Sequence, residues 1–137
     1  MAAAMKVLDI LETTDALARI EDAGCLLQSG LNALAQEALL SERIRCVGYP
    51  QWSLIRFLDA DGKDCFLTRS LFQQELVKRG ILALATHNMT AAHDASAVER
   101  TLEVYSEVLK TLSGWLSDAN PSRFLEGPKI QPVFRVR

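Results

Sequence analysis

From Leu17 to Ala38 the positions Leu17, Ile20, Gly24, Leu27, Leu31, Leu34 and Ala38 recur in alternating steps of three and four. That spacing returns side chains to one face of a helix with about 3.6 residues per turn. A long amphipathic helix cannot stay folded alone, because its apolar stripe must be buried against something else. Gly24 and Gly30 sharpen the demand, since each costs an isolated helix about 1 kcal/mol relative to alanine. The rest of the chain must therefore supply a packing surface. A second periodic stretch, Val98, Leu102, Tyr105, Leu109, Leu112 and Leu116, offers part of it.

Between these helices the pattern changes. Ile44 to Tyr49 and Trp52 to Leu58 are rich in β-branched and aromatic residues and are separated by Tyr49-Pro50-Gln51, which predicts two antiparallel strands. Asp59 to Asp64 reads as a turn. A third helix is expected from Thr68 to Arg79, capped by Thr68 or Ser70 and stopped by Gly80. Ile81 to Ala85 reads as a third short strand, and Asp94 or Ser96 as the cap of the last long helix. An N-terminal helix over residues 2–12, broken near Thr13-Thr14-Asp15, completes the order α-α-β-β-α-β-α. This predicts a single α+β domain over residues 1–137, a two-layer fold with a small, mostly antiparallel sheet of three to four strands packed against helices. After Asn120-Pro121 a tail carrying Phe124, Leu125, Ile130, Val133 and Phe134 is expected to pin itself to the body.

Charge and cysteine usage narrow the partners. The chain has 137 residues and a net charge of −2, which supplies no basic field for nucleic acid or an anionic membrane surface. Arg123, Lys129, Arg135 and Arg137 read as a solvated tail. No apolar run approaches the roughly 20 residues of a membrane span. No signal peptide is expected. Cys25, Cys46 and Cys65 are odd in number and widely spaced, which suits reduced, buried thiols in the cytoplasm.

Chemistry concentrates between Lys78 and Asp94, the stretch that holds both histidines. His93 directly precedes a capping residue and reads as structural. His87 follows a predicted strand, where loops carry function, and its role stays open between a site and a structural bond. Arg56, mid-strand between apolar neighbours, is either solvent-facing or an anion clamp. Two histidines without cysteine or a glutamate pair nearby make a poor metal site. The seven glycines stand singly, so no phosphate-cradling loop is present.

Leu71 to Leu82, Thr86-His87-Asn88, Ala92-His93-Asp94 and Val98 to Tyr105 together resemble the C-terminal part of class III pyridoxal-phosphate (PLP) aminotransferases, in the branch similar to glutamate-1-semialdehyde 2,1-aminomutase. Ala2 to Asp9 is similar to the helix that enters that domain, so the resemblance spans nearly the whole chain. The first two helices are generic, and the helix–loop–helix portion carries the specific part.

The resemblance implies the small domain of a fold-type-I PLP enzyme. In such enzymes the Schiff-base lysine, the aspartate on the pyridine nitrogen and the phosphate loop belong to a large domain. None of Lys6, Lys63, Lys78, Lys110 and Lys129 matches the family's lysine. The expectation is therefore a domain with no catalytic residue and no cofactor of its own, inactive alone. Thr86, His87, Asn88 and Arg56 are its substrate-facing candidates. The loop from Thr86 is shorter than in the aminomutase, which favours a related aminotransferase over the aminomutase reaction. Its expected partner is a missing large domain or a second copy. The alternatives are a free-standing oligomerising interaction domain, or a subunit completing a partner that supplies the large domain.

Overall fold

The structure, a computed structural model, describes residues 2–132. The periodic segment forms α2, Ala16–Glu37, preceded by α1, Ala2–Thr13. The strands β1, Ile44–Tyr49, and β2, Trp52–Phe57, form a hairpin, followed by α3, Phe66–Lys78, and β3, Thr86–Asn88. The helix α4, Ala95–Leu116, and a short 3-10 turn, Pro121–Phe124, complete the order. The sheet runs β1-β2-β3 and is antiparallel throughout, with Arg45 opposite Arg56 and Ser53 opposite His87. Helices cover one face of the sheet, so the two-layer α+β architecture is as expected.

The core lies between that face and the helices. Leu31 of α2, Leu71 and Leu76 of α3, and Leu109 and Leu112 of α4 are fully buried, with Ile44, Ile55 and Phe57 meeting them from the sheet. Each such side chain contributes about 1.5–3 kcal/mol of burial. Rings continue the packing: Phe57 to Phe72 at 5.2 Å, then Phe72 to Tyr105 at 5.5 Å between centroids.

Two close approaches set how α2 meets the hairpin. A Cβ on Gly24 would lie 2.1 Å from the carbonyl oxygen of Pro50, so only glycine lets the hairpin turn rest on the helix. The amide of Asn32 receives Cys46 N–H at 2.8 Å and donates to its carbonyl at 3.0 Å, as a neighbouring strand would. That bond pair covers part of the outer edge of β1, which would otherwise present free backbone groups.

Helix ends follow local chemistry. The Asp94 carboxylate accepts from Ala97 N–H at 2.9 Å, the expected cap of α4. Gly80, at φ +79°, ends α3 as the sequence predicts. At the end of α2 the same left-handed position is filled by Leu39, at φ +59°, while Leu39 and Leu40 N–H bond back to Gln36 and Ala35 carbonyls.

Three expectations change. The helix α3 starts at Phe66, with Cys65 as an N-cap that makes no side-chain bond. Thr68 Oγ1 donates to Cys65 Sγ and Ser70 Oγ to Phe66 O, so both lie inside the helix rather than at its cap. Ile81 to Ala85 is not a strand. The carbonyls of Ala83 and Leu84 are taken by Gln73 and Arg69 of α3, and Ala85 turns left-handed at φ +69° before pairing resumes at Thr86. Of the three thiols only Cys46 is buried; Cys25 lies on the exposed side of α2 and Cys65 is half-buried.

The tail is pinned as far as it is described. Phe124 stacks on Trp115 at 4.7 Å, Gln74 donates to Phe124 O and receives Glu126 N–H, and Ile130 N–H bonds Ser70 Oγ. Val133, Phe134, Arg135 and Arg137 lie outside the described residues. Among those described, no helix is long and apolar enough to cross a membrane.

Candidate functional site: a buried polar row and an open sheet face

The pleat of β3 divides the candidate residues. Side chains alternate across a strand. His87 therefore points into the core, while Thr86 and Asn88 lie with Leu54 and Trp52 on the opposite face. Arg56 shares that open face, because β2 buries Ser53, Ile55 and Phe57 and exposes Trp52, Leu54 and Arg56. The structure thus brings Thr86, Asn88 and Arg56 to one surface and sets His87 behind it.

Inside, His87 stands in a row of polar groups. Its Nδ1 lies 2.9 Å from Ser53 Oγ, its Nε2 lies 2.8 Å from the Tyr105 hydroxyl, and Cys46 Sγ donates to Ser53 Oγ at 3.3 Å. All four residues are buried. Two arrangements fit these distances: Tyr105 O–H donates to Nε2 and Nδ1–H to Ser53, or Ser53 O–H donates to Nδ1 and Nε2–H to Tyr105. The row holds four hydrogens, on Cys46, Ser53, His87 and Tyr105, but three contacts, so in either tautomer one hydrogen finds no acceptor within it.

Burial holds the His87 imidazole down to about 4, helped by the charge of His93. It is therefore neutral at physiological pH. Burial, with Cys46 alongside, pushes the Tyr105 phenol upward. Burial also raises the Cys46 thiol, which the bond to Ser53 only partly offsets. A Ser/His or Cys/His pair needs an accessible nucleophile and a group that steadies the imidazolium. Here both nucleophiles are sealed, the thiol is protonated and no carboxylate belongs to the row. It acts as a polar tie between sheet and α4.

His87 and Tyr105 also border a cleft of about 330 Å³, with Leu82, Asn88, Thr101 and His93 around it. The Nδ1 of His93 accepts from Thr90 N–H at 3.0 Å, so His93 closes the loop on itself, the structural role expected for it. Among the described residues no group of three or more His, Cys, Asp or Glu could hold a metal ion.

The open face is different in character. Val47, Leu54 and Thr86 form one cross-strand row, and Tyr49, Trp52 and Asn88 the next. Tyr49 and Trp52 are largely exposed, as are Leu82 and Leu84 in the segment that leads into β3. Arg45 and Arg56, directly opposed, are each neutralised on their own side: Arg45 by Glu42 at 2.7 Å and Arg56 by Asp64 at 3.1 Å.

Ser53, Cys46 and Tyr105 escaped the reading of the sequence as site residues. A signal was available in two of them. Ser53 is the one polar side chain in the inward register of β2, and Tyr105 sits on the apolar stripe of α4, where a phenol needs a partner.

Comparison with known proteins adds one likeness. No family model matches the sequence, and no curated protein matches it. Among solved structures the chain is similar to the FumI protein of Sphingopyxis sp. MTA144 in its PLP internal aldimine form, with 27% identity and a TM-score of 0.73. The match covers 90% of this chain and 29% of that one, so the chain spans less than a third of that protein's length. The α+β fold is thus that of a domain found within a PLP protein.

Proposed function

We propose that this chain serves as the C-terminal domain of a class III, PLP-dependent aminotransferase- or aminomutase-like protein, and that it does not transaminate by itself. The observation that carries this reading is the likeness to FumI, which takes in nine-tenths of the chain at 27% identity.

The residues present do not fit the cofactor on their own. Lys6, Lys63, Lys78, Lys110 and Lys129 are all exposed. A Schiff base forms on a neutral amine, which desolvation or a neighbouring cation favours. Lys78 is placed the other way: hydrogen bonds to Glu126 and Glu75 hold its ammonium above the ordinary lysine range. In a complete enzyme the cofactor supplies the electron sink. This domain would supply one wall: Thr86, Asn88 and Arg56 toward the substrate, with His87 behind the strand that carries them.

A large domain, in the same polypeptide or from a partner, would then cover the open sheet face and α1. The same surfaces support a second reading, a free-standing domain that self-associates. No residue of α1 is buried, and Met5, Val7, Leu8 and Ile10 stand exposed along it. Apolar area of that extent usually finds a partner. The three free thiols suit a reducing cytoplasm.

Two measurements test the proposal. Mixed with PLP and reduced with borohydride, the purified chain should give no stoichiometric adduct on a single lysine; one uniquely labelled lysine would overturn the inactive-alone reading. The gene upstream of the Met1 codon should continue in frame into a cofactor domain, or a neighbouring gene should encode one. An isolated reading frame with no such partner would leave the self-associating domain.

A further inference from the structure

The two edges of the sheet differ. At β1 the outward backbone groups are covered from α2: the Asn32 amide takes both Cys46 N–H and Cys46 O, and Gln28 donates to Gly48 O at 3.1 Å. At β3 no such cover is present among the described residues. Ile55 N–H bonds Ala85 O at 2.9 Å, Met89 N–H bonds Gln51 O at 3.0 Å, and Ser53 stands opposite His87 midway between them. Bonded and unbonded pairs alternate along an antiparallel ladder. His87 therefore spends its backbone on Ser53, while the N–H and C=O of both Thr86 and Asn88 point away from the sheet. The cleft of about 330 Å³ runs beside these two residues, so the edge borders open space. Natural edge strands are commonly guarded by a charged side chain, a proline or a bulge. From Gly80 to Ala92 there is no Asp, Glu, Lys, Arg or Pro.

From this unguarded edge we infer that β3 pairs with β3 of a second copy of the chain, antiparallel about a two-fold axis at His87. The edge is its own complement. Thr86 of one copy exchanges two backbone bonds with Asn88 of the other, and the axis repeats the exchange, so every outward N–H and C=O of both strands finds a partner. The product is a six-stranded antiparallel sheet with a continuous open face. Its row Tyr49, Trp52, Asn88 runs on into Thr86, Leu54 and Val47 of the second copy. Charge favours this occupant: the strip carries no formal charge and meets its own image without repulsion. The inference names a contact for the self-associating reading and rests on that reading; the cofactor reading stands or falls without it.

The test uses the whole chain without PLP. Sedimentation over about a hundredfold range of concentration should show a monomer–dimer equilibrium. Hydrogen exchange should show the Thr86 and Asn88 amides gaining about tenfold or more in protection as dimer forms. The Met89 amide, bonded to Gln51 O within the chain, should be protected throughout. Asn88→Pro removes an N–H that the β2–β3 ladder does not use, a change edge strands tolerate, and should weaken the dimer at least about tenfold. Thr86→Lys asks nothing of the backbone and sets two like charges close to the axis. It should weaken the dimer about tenfold, and added salt should restore most of the loss. A monomer at every concentration, or Thr86 and Asn88 amides already protected in that monomer, would overturn the assignment. So would a dimer indifferent to the folded variants, which would leave self-association to another surface.

Discussion

The Tyr105 hydroxyl is hydrogen-bonded to Nε2 of His87 at 2.8 Å across eighteen positions of sequence, joining the middle of α4 to the centre of β3. Removing the phenol oxygen leaves a buried imidazole nitrogen without its partner. Tyr105→Phe should therefore lower stability by about 1–3 kcal/mol in urea unfolding. Nitrogen chemical shifts of the wild-type imidazole read the direction of the bond, with the proton on Nδ1 where Tyr105 donates and on Nε2 where it accepts.

Acid should weaken the fold before it protonates most carboxylates. His87 titrates at about 4 when folded, against 6.5 for a free histidine, so the unfolded chain binds more protons between those values. Stability from this group is complete above the unfolded value and falls as pH drops from about 6.5 toward about 4, by up to about 3 kcal/mol. His87→Gln should flatten the slope in that window. Glu75 has the same sign lower down: burial raises its carboxyl, but bonds from Arg79, Lys78 and Gln74 bring it below the ordinary range. Its contribution is lost as pH falls through its folded pKa and should survive in the His87 variant.

Leu39 occupies the left-handed position after α2, almost wholly exposed at 89%. A side chain there costs about 1–2 kcal/mol of backbone strain and packs against nothing. Leu39→Gly should stabilise the protein by about 0.5–1 kcal/mol after glycine's greater freedom in the unfolded chain is subtracted. Thermal unfolding reads this directly, and a fall in the midpoint would refute it.

Thiol labelling should separate the cysteines. Cys25 is exposed on α2 and should react with a disulfide reagent within the ordinary time for a surface thiol. Cys46 is sealed, and burial keeps its thiol protonated. It should react only as fast as the fold opens, so its rate should rise with urea while that of Cys25 stays nearly flat.

Much of the architecture is legible in the sequence because period and punctuation are local. The stripes of α2 and α4, the Asp94 cap, the Gly80 stop and the Tyr49–Gln51 turn each follow from a few neighbouring residues. The errors fall where distant groups decide. Ile81 to Ala85 looks like a strand, yet Gln73 and Arg69 take its carbonyls and Ala85 bends away. Nothing in an apolar pentapeptide records where α3 will place an arginine. The candidate site was half legible for the same reason. Composition pointed to His87, but whether it faced substrate or core depended on a register set only when Ser53 and His87 paired. The row with Cys46 and Tyr105 joins four segments and has no signature in any one of them.

The contact between Gly24 and Pro50 has a consequence beyond packing. The carbonyl oxygen of Pro50 lies so near the helix that a single methyl group at position 24 would have to lift the hairpin turn away. Overpacking of that kind costs about 1–3 kcal/mol. The turn is also one end of the surface that presents Trp52, Leu54 and Arg56. Glycine at this point therefore works as a shim: its thinness sets the pitch of the open face against anything that must meet it. A larger residue there would spoil alignment at a distance, in a protein whose exposed side chains were all unchanged.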